Sequence, residues 1–78
     1  MAKDRLTNRI RRLRFDHDEM TQQALADRVG CTRQTIVLLE QSRYVPSLVL
    51  AMRIAAAFGT RVEEVFTLEG PDAGNGVK

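Results

Sequence analysis

The stretch Thr32-Arg33-Gln34-Thr35-Ile36-Val37-Leu38-Leu39-Glu40 presents two different faces if it is helical. Ile36 and Leu39 repeat at helical spacing and need a core. Arg33 and Gln34 open the other face, and Val37 and Leu38 follow one turn later. Arg offers two donors that fit guanine O6 and N7. Gln offers a donor and an acceptor that fit adenine N6 and N7. Leu38 has only apolar surface to give, which suits a thymine methyl, and Val37 can share that contact. This chemistry is recognition of base edges. Nothing in the chain suggests catalysis: no nucleophile–base pair, metal cluster or phosphate loop is evident, so no enzyme is expected. Cys31 and the lone His17 cannot supply four zinc ligands, and neither a metal nor a cofactor is expected. Cys31 reads as a small core residue, since a reactive thiol needs exposure and a lowered pKa.

Presenting those side chains requires a helix held firmly by others. Thr21 caps a helix from Gln22 to about Arg28, with Leu25, Ala26 and Val29 on its buried side. Gly30 ends it, as a residue that tolerates positive φ. Thr32 caps the next helix, which runs to about Gln41. From Gln22 to Gln41, apolar residues fall at Leu25, Val29, Cys31, Ile36 and Leu39, with small Ala26 where two backbones approach. This is the spacing of a helix-turn-helix. A first helix is expected from Thr7 to Asp16, on the stripe Leu6, Ile10 and Leu13, and "DHDE" reads as a solvated connector. A fourth is expected from Leu48 to Phe58, capped by Ser47. Thr60-Arg61-Val62-Glu63 reads as a capping box opening a short fifth. The expected fold is all-α, a five-helix bundle over residues 6–68, followed by a flexible tail at 70–78.

Composition agrees with one small folded domain: 78 residues, 44% apolar and 28% charged. The charge is uneven. Residues 1–53 hold ten basic against six acidic side chains, and residues 54–78 hold two against four. A basic front suits a polyanion partner. No apolar run is long enough for a membrane span, and "MAKDRLTNRI" has no signal-peptide h-region, so a cytoplasmic, nucleoid-associated protein is expected.

The segment "MTQQALADRVGCTRQTIVLLEQSRYVPSLVLAMRIAAAFGTRVEEVF" resembles the Cro/C1 (XRE) family of helix-turn-helix regulators, particularly its small single-domain members. The resemblance rests on Thr21-Gln22, Leu25-Ala26, Val29-Gly30, Arg33 to Ile36, Glu40, and the Tyr44–Ser47 turn with Pro46. It departs from the pattern in three places. The connector is one residue longer, Gln41-Ser42-Arg43 stands where a Gly-containing turn is usual, and Cys31 replaces a Val or Ile. The resemblance implies a lambda repressor-like DNA-binding domain with Arg33, Gln34 and Leu38 as base readers. The implied partner is double-stranded DNA carrying a pseudo-palindromic operator, with no small-molecule ligand.

Other positions follow from local physics. Gln22 and Thr32 start helices, and helix N-termini favour phosphate. Thr35, Arg43 and Tyr44 are further candidates for the DNA backbone, with Tyr44 equally able to pack on the Pro46 turn. Arg14 and Glu40 border the same core from two helices and should form a structural salt bridge, as the resemblance also implies. A homodimer is expected through Val49, Met52, Val65, Phe66 and Leu68, with Arg5 to Thr7 available as an added strand. The expected function is a sequence-specific transcriptional regulator, a repressor or autoregulator. The alternative is an antitoxin-type interaction component that also binds its own operator.

Overall fold

Arg5–Asn8 (β1) and Phe66–Glu69 (β2) pair as antiparallel strands and join the two ends of the domain. The structure is a computed structural model and describes residues 4–70. The expected tail lies outside those residues except for Gly70. Between the strands run α1 (Ile10–Asp16), α2 (Gln22–Val29), α3 (Arg33–Glu40), α4 (Leu48–Ala57) and α5 (Val62–Val65). The fold is therefore mostly helical but not all-α. Five helices are present as expected, with a two-stranded sheet added. None of the described helices is long and apolar enough to cross a membrane.

The sheet corrects the expected start of the first helix. Leu6 does pack against the core, but from a strand. Asn8 is what separates the strand from α1. Its Oδ1 accepts from the Ile10 amide at 3.1 Å, and its Nδ2 donates to the Leu39 carbonyl at 2.6 Å. The Arg9 amide donates to the Val65 carbonyl at 2.9 Å. These backbone groups are thus satisfied across the chain, and a helical start at Thr7 is not needed for them. Arg5 to Thr7, anticipated as an added strand in a dimer, pairs within its own chain, with Leu6 opposite Leu68 and Thr7 opposite Thr67.

The remaining ends follow side-chain chemistry. Thr21 Oγ1 accepts from the Ala24 amide at 2.9 Å, and Ser47 Oγ from Leu50 at 3.1 Å. Gly30 sits at φ +80°, and a Cβ there would also come within 3.4 Å of the Arg53 guanidinium. At α5 the cap is shifted by one residue. The carboxylate reaching back to the Arg61 amide belongs to Glu64, at 3.1 Å, where Glu63 was expected, and the Thr60 hydroxyl bonds to the same Glu64. The charged residues of the connector are exposed, but His17 between them is not fully so. His17 is half-buried, its ring 5.1 Å from that of Phe58, with Nδ1 2.8 Å from the Leu13 carbonyl.

The end of α3 explains the missing glycine. The Arg43 amide donates to the Leu38 carbonyl and the Ser42 amide to Leu39, both at 2.9 Å. This is a Schellman ending, and it puts Ser42 at φ +58°. A non-glycine residue in this region costs roughly 1–2 kcal/mol. Part of the relief is offset by the extra freedom glycine gives the unfolded chain. Ser42→Gly should therefore stabilise the domain by about 0.5–1 kcal/mol, read as a raised urea midpoint at constant slope. A lowered midpoint would contradict this account of the turn.

The core lies where α2, α3 and α4 meet under the sheet. Leu25, Ile36, Ile54, Ile10 and Val65 are fully buried in it. Ala26 is buried as well, which lets the α2 and α3 backbones approach. This core holds α3 by Ile36 and Leu39 and leaves its other side outward.

Candidate nucleic-acid interface

The first turn of α3 is set by two threonines. Thr32 is extended and its Oγ1 accepts from the Thr35 amide at 3.2 Å. The Thr35 hydroxyl lies 3.0 Å from the same oxygen. Both residues have a local duty in starting the helix, beside any duty toward phosphate. Arg33 and Gln34 follow the cap directly. Both are exposed, and neither side chain has a hydrogen-bond or ion-pair partner among the described residues. A cation on the first turn opposes the helix dipole. Arg33 therefore gains nothing from its own helix, and its planar group stays free for an outside acceptor.

Val37 and Leu38 continue the two rows begun by Arg33 and Gln34, one turn on. Each is half-buried, less exposed than Arg33 and Gln34 on the same face. Arg43 and Tyr44 lie just beyond the Schellman turn and are exposed. The candidate interface therefore comprises one helical face and the loop that follows it.

Behind this face, Arg14 and Glu40 form the predicted contact. Arg14 Nε donates to Glu40 Oε2 at 2.7 Å and Nη2 to Oε1 at 3.1 Å, with only 15% and 10% of the side chains exposed. Arg14 Nη1 also donates to the Met20 carbonyl at 2.8 Å. A third member was not expected. Gln22 Nε2 donates to Glu40 Oε1 at 3.1 Å, so one amide N–H of this candidate phosphate ligand is already engaged. One carboxylate thereby ties α1, α2 and α3 together. A buried pair contributes this way only when its polar atoms are hydrogen-bonded, and both Glu40 oxygens are.

The apolar surface differs from expectation. Val49, Met52 and Leu68 are exposed. Val65 and Phe66 are not: they are 0% and 8% exposed and close the core. This corrects their placement on a dimer surface. Since α5 is a single turn and β2 is fixed by β1, their side chains are directed inward. Val45 and Leu48, at 72% and 70% exposed, were not expected on this surface. Leu48, Val49 and Met52 share one side of α4, and Val45 precedes its cap.

Cys31 is half-buried in the turn, and burial pushes its thiol pKa up. That is the opposite of what a reactive thiolate needs. No group of three metal-capable side chains occurs among the described residues.

A helix-turn-helix family model matches residues 10–65, from the start of α1 to the end of α5. An uncharacterized HTH-type transcriptional regulator of Methanothermobacter thermautotrophicus is 57% identical over 51 residues, covering 64% of this chain and 74% of that protein. Another, from Methanocaldococcus jannaschii, is 41% identical over 64 residues, 82% of this chain and 96% of the relative. A third, YgzD of Bacillus subtilis, is 42% identical with the same coverage. The matched region contains the capped two-helix unit and the whole exposed face of α3, and on these grounds the chain belongs to the Cro/C1-type (XRE) helix-turn-helix family of DNA-binding transcriptional regulators.

Proposed function

We propose that this regulator is a repressor that binds a pseudo-palindromic operator as a homodimer, each copy reading one half-site with α3 in the major groove. The observation that carries this reading is the free, exposed Arg33–Gln34 pair on the first turn of a helix fixed from behind by Glu40. Arg33 addresses guanine and Gln34 adenine, and the outward parts of Leu38 and Val37 address thymine methyls. Gln22, Thr32 and Thr35 at the helix starts, with Arg43 and Tyr44 after α3, hold the phosphate backbone and set the register. The two copies meet through Val45, Leu48, Val49 and Met52, with Leu68 available at the sheet. Binding of this kind keeps the protein with the nucleoid. It needs no enzymatic group and no cofactor.

Sedimentation of the full chain at micromolar concentration, alone and with duplex DNA, tests the reading. The expected result is a dimer that Met52→Asp converts to a monomer, with DNA affinity falling steeply as salt rises. A monomer that ignores duplex DNA at low salt would overturn the proposal.

A further inference from the structure

Arg11 lies on α1 three residues before Arg14, on the same side of the helix. With Arg14, Gln22, Val37, Glu40 and Gln41 it lines an open cleft of about 420 Å³. The cleft lies between α1, the start of α2 and the far end of α3. Its charges do not cancel. Arg14 and Glu40 neutralise each other, and Gln22 is neutral. Arg11 is exposed and has no ion pair among the described residues. Its neighbour Arg12 is held by Asp16 at 3.2 Å. One positive charge is thus left over in the cleft. The first amides of α2 add to it, because a helix start favours anions. The opposite wall continues the recognition face: Val37 and Gln41 fall four and eight residues after Arg33, on one row.

A duplex that accepts this row in its groove passes a flanking strand over the mouth of the cleft. We propose that Arg11 is a phosphate-binding residue outside the helix-turn-helix unit, clamping that strand between α1 and the start of α2. This inference rests on the reading of α3 as the groove-binding element. Arg11 carries no base information. It supplies affinity and fixes how deeply α3 enters the groove.

The test titrates the full chain and three variants, Arg11→Ala, Arg11→Lys and Arg12→Ala, with one mixed-sequence duplex between about 50 and about 200 mM salt. Thermal melting is measured on the same samples. Losing one phosphate contact should flatten the log–log salt slope by about 0.9 per protomer, equivalent to about eightfold weaker binding at 0.1 M. Arg11→Ala should show this with unchanged melting, Arg11→Lys should recover most of the slope, and Arg12→Ala should match the wild type. An unchanged slope for Arg11→Ala overturns the inference while leaving the function intact. An equal loss for Arg12→Ala overturns it too, since any surface charge would then serve. A lowered melting point with an unchanged slope would assign Arg11 to the α3 C-terminus as a structural cation. A wild type with no salt-dependent binding overturns this inference and the proposed function together.

Discussion

Glu40→Ala is expected to destabilise the domain by about 3–5 kcal/mol, a large part of the stability of a small domain. The change strands the Arg14 guanidinium, which keeps only the Met20 carbonyl, and frees the Gln22 amide. The 10–15% exposure of the pair lets some water reach Arg14, so the lower half of that range is the better expectation. Urea unfolding checks it, and a loss below about 1 kcal/mol would mean the cluster is a solvated surface pair. The double variant Arg14→Met, Glu40→Leu should recover most of the loss, because apolar residues of similar volume can replace a buried pair. That variant also separates stability from function. It should fold, yet hold α1, α2 and α3 less strictly in register.

Arg33→Ala has the largest expected effect on function. One bidentate guanine contact gives about 1–3 kcal/mol of discrimination, so two half-sites give about 2–6 kcal/mol. Folding should be untouched, since Arg33 has no side-chain partner among the described residues and opposes the helix dipole. Competition binding with an operator and with its guanine-substituted form checks this. Equal discrimination by the wild type and the variant would remove Arg33 from base reading.

How much could be read in advance depended on how local the physics was. Helix ends set by one side chain and one amide were legible: Thr21, Thr32, Ser47 and Gly30 stand where expected. The Arg14–Glu40 contact was legible because both charges flank core stripes of known period. The sheet was legible only in part: a strand at Arg5 to Thr7 was expected, but for a dimer. Leu6, Ile10 and Leu13 also fit a helical stripe, and the long-range bonds of Asn8 to Leu39 and Arg9 to Val65 are what place Leu6 in a strand of its own chain. The same cause misplaced Val65 and Phe66. Their apolar character was clear, but whether it served the core or a surface depended on β1 folding back across them. Gln22 was read only through its helix start, because a contact to Glu40 eighteen residues away leaves no local pattern. At the interface itself, residue type and helical phase identified the exposed face of α3, but not how far its neighbours cover Val37 and Leu38.

The central claim is that the outward face of α3, led by Arg33, reads bases. Parallel selection of bound duplexes from a random pool, by the wild type and by Arg33→Ala, tests it most directly. The wild type should enrich an inverted pair of half-sites about one helical turn apart, each with a fixed guanine. Arg33→Ala should keep the spacing and lose preference at that guanine alone. Binding with no enriched motif, or the same motif from both proteins, would contradict the claim.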